Sequence, residues 1–122
     1  MKFITIILIS LFSFSFGAED LNDDVSLALK KGNAEELVKL FSDKLSIKVL
    51  AQEDLMSKSQ AQAIIADFFS KNKVKNYTTA HTSIVNGDQQ FITGTIDTNS
   101  GKYRVSILIR SNLISGFRIE NE

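Results

Sequence analysis

The apolar period of this chain changes near residue 77. Upstream, one short run over 45–50 aside, apolar residues recur three and four apart, the spacing of one helical face; downstream they alternate, the spacing of half-buried strands. Helices first and strands after predict an α+β fold, in which the helices must cover the apolar face of the sheet.

Downstream, Tyr77 to Val85 is rich in Thr, Val, Ile and Tyr. Asn86-Gly87 is the preferred pair for a two-residue type I′ hairpin turn. In the next run, Gln90 to Thr98, Ile92 and Ile96 share a face with Gly94 between them. A glycine inside a strand predicts a bend or bulge where something bulky packs close. Asn99-Ser100-Gly101 turns the chain again. Tyr103, Val105, Ile107 and Ile109 then share one face, with Arg104, Ser106 and Arg110 on the other. After a turn at Ser111-Asn112, Ile114 to Glu120 places Phe117 and Ile119 opposite Arg118 and Glu120. These runs predict a four-strand antiparallel meander with one wet face.

Upstream, Leu21, Val25, Ala28 and Leu29 predict a helix over 20–31. Asp20, Asp23 and Asp24 at its start and Lys30 and Lys31 at its end suit the helix dipole. Gly32 is a natural terminator and Asn33 a natural cap for a second helix, whose apolar face is Leu37, Leu40 and Phe41. Leu45 to Leu50 alternates and predicts a short strand; Ala51 to Met56 carries no assignable pattern. Ser57 and Gln60 form an S-x-x-Q capping box for a third helix with Ala61, Ile64, Ile65, Phe68 and Phe69 on one face. This helix is the natural cover for the meander.

The first 17 residues differ from the rest. Lys2 precedes an apolar run from Phe3 to Phe16, and small residues at Ser15 and Gly17 fit a signal-peptidase site before Ala18-Glu19-Asp20. The run spans about 14 residues, short of the roughly 20 that cross a bilayer. The pattern predicts a cleaved signal peptide over 1–17, one domain over 18–122, export to a periplasm or the outside, and no membrane attachment after cleavage.

Composition narrows the function. The chain has 122 residues, 43% hydrophobic and 23% charged, which excludes collagen-like, disordered and coiled-coil classes. Fourteen basic and fourteen acidic side chains give no basic excess, so no nucleic-acid partner is expected. Cysteine is absent and histidine occurs once, which removes disulfides, thiolate zinc sites and cysteine nucleophiles and leaves no expected metal or cofactor. P-loop, G-x-S-x-G and H-E-x-x-H patterns are absent. Asn76-Tyr77-Thr78 matches a glycosylation sequon, which matters only in a eukaryotic secretory pathway.

The order helix, helix, short strand, helix, meander resembles the cone-shaped nuclear transport factor 2-like (cystatin-like) fold. Local motifs are similar to a family of small exported bacterial proteins of unknown function built on it. They are Ala28-Leu29-Lys30-Lys31-Gly32-Asn33-Ala34, Ser57-Lys58-Ser59-Gln60-Ala61, Asp67-Phe68-Phe69-Ser70-Lys71-Asn72, Gly94-Thr95-Ile96 and Gly101-Lys102-Tyr103-Arg104-Val105. Lys73-Val74-Lys75 stands where the family pattern has Pro-Pro. The resemblance implies three N-terminal helices packed on a curved antiparallel meander. Relatives on this fold include ketosteroid isomerase, scytalone dehydratase, polyketide cyclases and non-catalytic transport or dimerisation domains. A fold that hosts so many roles leaves function to the site.

Isomerase-type chemistry needs a carboxylate base in an apolar pocket and an oxyanion donor such as Tyr. Asp97 lies beside a turn, and Asp67 lies off the apolar stripe of its helix. His81, which shares strand parity with Tyr77, is a candidate to line the cone mouth with Tyr77 and Tyr103 as a ligand-binding group. Arg104, Leu108, Arg110 and Arg118 form a candidate partner surface on the outer sheet face, which in relatives is often the dimer surface. Lys71, Lys73 and Lys75, with Lys58 further off, read as solvated charge. The residues favour an exported non-catalytic module that binds a small apolar ligand or a protein partner. The alternatives are an isomerase, dehydratase or cyclase using Asp97, His81 or Tyr103, and a homodimeric scaffold.

Overall fold

The structure, a computed structural model, describes residues 20–122. The expected signal peptide lies outside the described residues.

Helix α1 (Asp20–Lys31) buries Val25, Ala28 and Leu29, as its period requires. Its end is a Schellman motif. Gly32 takes φ +62, its N–H donates to the Leu29 carbonyl at 3.1 Å, and the Asn33 N–H donates to the Ala28 carbonyl at 3.0 Å. The same Asn33 caps α2 (Ala34–Val38), its Oδ1 accepting from the Glu36 N–H at 3.1 Å. One Gly-Asn pair thus closes one helix and opens the next.

Helix α2 is shorter than its apolar spacing predicts. Leu40 and Phe41 are taken by the sheet: the Ile114 N–H donates to the Leu40 carbonyl at 2.8 Å. Phe41 pairs with Ile114 and places its ring 5.8 Å from that of Phe117. Strand β1 therefore runs Phe41–Val49 and turns into β2, Gln52–Ser57, the stretch without a sequence pattern. In β2 only Met56 is buried, so no alternation could show. Ser57 ends β2 and caps α3 (Lys58–Lys71), with both arms of the capping box formed. Helix α3 buries Ala61, Ile65, Phe68 and Phe69.

Four long strands follow: β3 (Val74–Asn86), β4 (Gln89–Thr98), β5 (Gly101–Arg110) and β6 (Leu113–Asn121). The expected meander is there, within a larger sheet of six strands in the order β2-β1-β6-β5-β4-β3. The strand expected between the second and third helices is there as β1, and β2 joins it, so the three helices do not form one block. Nor is the sheet wholly antiparallel, since β1 and β6 pair in parallel.

The β3–β4 turn also differs from expectation. Asn86 pairs with Gln89, so Gly87 and Asp88 make the loop, and Gly87 lies outside the left-handed region. The left-handed pair instead joins β5 to β6, at Ser111 (φ 52) and Asn112 (φ 63).

The inner sheet face carries Leu45, Ile47, Ile92, Ile96, Val105, Ile107, Ile109, Phe117 and Ile119, all buried. The helices cover it, and their side chains fill the cone between them.

Candidate functional site

Tyr77 and His81 lie four residues apart on β3, which in a regular strand puts both on one face. The strand is not regular there. Thr79 pairs with Gly94 and His81 with Thr93, leaving Ala80 as an extra residue. This bulge moves His81 to the outer face, where it is exposed, while Tyr77 stays inside.

Tyr77 is 2% exposed. Its hydroxyl oxygen accepts from the Thr79 hydroxyl at 3.1 Å, and its ring lies over Gly94. Burial pushes the phenol above its ordinary titration range, and the Thr79 hydrogen bond opposes this in part. Tyr103 is half-buried on the same inner face, two strands away across Ile96. Its ring meets Phe68 edge-on at 5.1 Å, and its hydroxyl donates to the Asn72 Oδ1 at 3.3 Å. Each tyrosine thus has a structural partner, and the structure does not bring Tyr77, His81 and Tyr103 together. Asp97 pairs in register with Asn76 and Lys102 beside the β4–β5 turn. Its strand parity matches Thr95, on the outer face.

The four surface candidates do share one face. Arg104, Leu108 and Arg110 alternate on β5, and Arg118 sits opposite Ser106 on β6. Register extends this face across the sheet. One row runs Phe91, Leu108, Gly116, Ser46, Leu55 from β4 to β2; the next runs His81, Thr93, Ser106, Arg118, Lys48, Glu53 from β3 to β2. Phe91 is 37% exposed and Leu55 65%.

The charges on this face divide into two groups. Arg118 reaches Glu53 and Glu120, each at 3.3 Å, and Lys48 reaches Glu120 at 2.8 Å. The Lys48 ammonium, helped by Arg118, holds the Glu120 carboxyl below its ordinary range. Arg104 and Arg110 are exposed and make no ion pair among the described residues.

A cleft of about 330 Å³ opens where the start of α1 meets the β3–β4 and β5–β6 turns, lined by Leu21, Asn22, Ile84, Gln90 and Ile109 among others. The Asn22 Oδ1 is buried there without a hydrogen-bond partner among the described residues. Asp88 at its rim accepts from the Ser111 hydroxyl at 3.0 Å. A second cleft, of about 400 Å³, lies between α3 and the β1–β2 turn and is lined by Leu50, Ile64, Phe68, Lys71 and Asn72 among others. No group of three or more His, Cys, Asp or Glu with metal-binding geometry occurs among the described residues.

Two elements of the outer face escaped sequence reasoning. Glu53 and Leu55 belong to it only through the pairing of β2, which has no local signal, with β1; Lys48, whose parity on β1 was legible, joins the row through the parallel pairing of β1 with β6. Phe91 was legible, because its parity with Thr93 and Thr95 opposes that of Ile92 and Ile96.

The model of a domain of unknown function, DUF4783, matches residues 22–121. The chain belongs to the DUF4783 family. Two solved members are similar across nearly their whole length. The Bacteroides ovatus protein is 30% identical with a TM-score of 0.76, over 81% of this chain and 93% of that one. The Bacteroides fragilis protein is 31% identical with a TM-score of 0.74, over 81% and 96%. A cystatin-like domain of unknown function from Nostoc punctiforme shares the fold, with a TM-score of 0.65 at 11% identity over 84% of this chain and 73% of that one. None of the curated proteins matches the chain. The DUF4783 domain is thus α+β with a curved six-stranded sheet, of nuclear transport factor 2-like and cystatin-like type. No helix among its described residues is long and apolar enough to cross a membrane.

Proposed function

We propose that this DUF4783 domain is an exported, non-catalytic binding module that engages a protein partner through the outer face of its sheet. The leader-like residues 1–17 support export. The observation that carries the reading is the row Phe91, Leu108, Gly116, Ser46, Leu55, which offers apolar side chains on a face that no helix among the described residues covers. Of the groups suited to acid–base work, His81 and Asp97 stand on the outer face away from the apolar interior, and Tyr103 ties β5 to Asn72.

Native mass spectrometry of residues 18–122, purified gently from the compartment to which they are exported, tests this. A retained protein mass that disappears in Leu108→Asp supports the reading. A bare monomer in both proteins overturns it, and a dimer mass favours a homodimeric scaffold.

A second reading, a small apolar ligand that carries one hydrogen-bond donor, seated in the first cleft, draws on its Leu21, Ile84 and Ile109 lining and on the Asn22 Oδ1, which has no partner among the described residues. It expects a small retained mass that is lost in Asn22→Leu.

A further inference from the structure

We propose that the outer face takes a protein segment whose acidic side chains flank apolar anchors. This rests on the binding-module reading above and adds the chemistry of the partner.

Shape gives the first argument. Gly116 and Ser46 lie side by side on β6 and β1, between Leu108 on β5 and Leu55 on β2. Neighbouring strands are about 4.8 Å apart, so the two leucines stand roughly 14 Å apart across a floor of small residues. That floor is open: a Cβ at Gly116 would meet only the Leu108 Cβ, at 3.4 Å. The gap admits the apolar side of a helix or of an extended segment, since a helix with its side chains is about 10 Å across.

Charge gives the second. The cations on the β1 and β6 side, Lys48 and Arg118, are already neutralised by Glu53 and Glu120. On β5, Arg104 and Arg110 are exposed and make no ion pair among the described residues, while Lys102 at the start of the strand faces Asp97 in the ladder. The two arginines sit on either side of Leu108 on one face of one strand, about 20 Å apart at the rise of an antiparallel strand. A partner that seats an apolar side chain beside Leu108 therefore meets an arginine without an ion pair on each side of it: Arg110 has no acidic residue opposite it in the ladder, and Glu120, opposite Arg104, is already engaged by Lys48 and Arg118. Complementary charge at such positions steers encounter and sets register. A second copy of this face fits less well, because it presents the same unpaired arginines, has its Glu53 and Glu120 already engaged, and carries its Asp97 in register with its own Lys102.

The test uses residues 18–122 and synthetic amphipathic peptides of leucine and glutamate, with the same peptides carrying glutamine for glutamate as controls. Binding is read by backbone amide shifts. The expected result is movement of outer-face amides on β4, β5 and β6, with binding of the glutamate peptide about tenfold tighter at low ionic strength and a gap that narrows as salt rises. Arg104→Glu and Arg110→Glu each remove that preference without weakening the glutamine peptide, while Lys30→Glu on α1 changes neither.

Equal binding of the two peptides at the face overturns the acidic preference and leaves the binding-module reading standing. Absence of movement on the outer face overturns the acidic-segment proposal, and the native-mass experiment then decides separately whether a protein docks there. Anionic vesicles or duplex DNA matching the glutamate peptide overturn it in favour of a general polyanion surface. A concentration-dependent dimer that buries Leu108 overturns it in favour of self-association.

Discussion

A Cβ built on Gly94 would lie 2.5 Å from the Tyr77 hydroxyl oxygen, 2.7 Å from its Cε1 and 2.6 Å from the Thr78 carbonyl oxygen. The ring of Tyr77 thus occupies the place where any other residue at position 94 would put its side chain. This contact fills the cone beside the β3 bulge and helps keep Tyr77 out of a cleft. Gly94→Ala is expected to destabilise the domain by about 2–3 kcal/mol through overpacking. Tyr77→Ala in the same chain should relieve only part of the clash, because the Thr78 carbonyl belongs to the backbone and stays. Urea unfolding of the single and double variants measures both effects; full recovery in the double variant would contradict the geometry.

Phe68 and Phe91 provide a contrast between the two sides of the sheet. Phe68 is 4% exposed and packs on Tyr103, whereas Phe91 is 37% exposed on the outer face. Phe68→Ala should cost about 3–5 kcal/mol. Phe91→Ala should cost about 1 kcal/mol or less, as surface substitutions usually do. Equal losses in chemical denaturation would mean that the outer face is covered in the isolated protein.

Ser57 serves β2 and α3 at once. Its Oγ accepts from the Gln60 N–H at 3.3 Å, and its own N–H donates to the Gln60 Oε1 at 3.1 Å. Ser57→Ala should lower stability by about 1 kcal/mol, and Ser57→Asp by less. Thermal unfolding of the two variants checks the order.

Glu120 supplies acid sensitivity. Its carboxyl titrates below the ordinary range when folded, chiefly because of Lys48 and then Arg118. The unfolded chain therefore takes up the proton first as pH falls. Its stabilising contribution is complete above the ordinary carboxylate range and is lost as pH drops through the depressed value. Glu120→Gln should flatten the acid limb of the stability curve, measured by unfolding midpoints across pH. An unchanged limb would place the sensitivity elsewhere.

Tyr77 acts at the other end of the scale. Burial raises its pKa, so the unfolded phenol ionises first as the medium becomes alkaline. Stability from this group is complete below the ordinary tyrosine range, about pH 10, and falls as pH rises through the raised value. Tyr77→Phe should flatten the alkaline limb, and the tyrosinate absorbance lost in that variant should be a late-titrating component.

Much of the fold was legible because its signals are local. Helix α1 ends at the Gly32-Asn33 pair that its spacing and caps indicated, and α3 begins on the Ser57–Gln60 box. Alternation assigned the inner and outer faces of β5 and β6 correctly, and Gly94 announced its large neighbour. The candidate surface residues Arg104, Leu108, Arg110 and Arg118 share a face for the same reason: each depends only on the period of its own strand.

Other features depended on partners far along the chain. Phe41 left the helical period because β6, more than 70 residues later, supplies a parallel strand edge and the Phe117 ring. Strand β2 had no pattern because one side of an edge strand meets solvent and most of the other lies beyond the covering helices. The bulge at Ala80 separated His81 from Tyr77 by adding one residue to a ladder, which no parity count on β3 alone can register. The sequence by itself determined the α+β class, the caps and the in-or-out parity of the regular strands, since these follow from neighbours a few residues apart. Tertiary structure alone decided the sixfold sheet, the company of Tyr77 and the pairing of Lys48 with Glu120, because register and ion pairs across 72 residues exist only once distant strands meet.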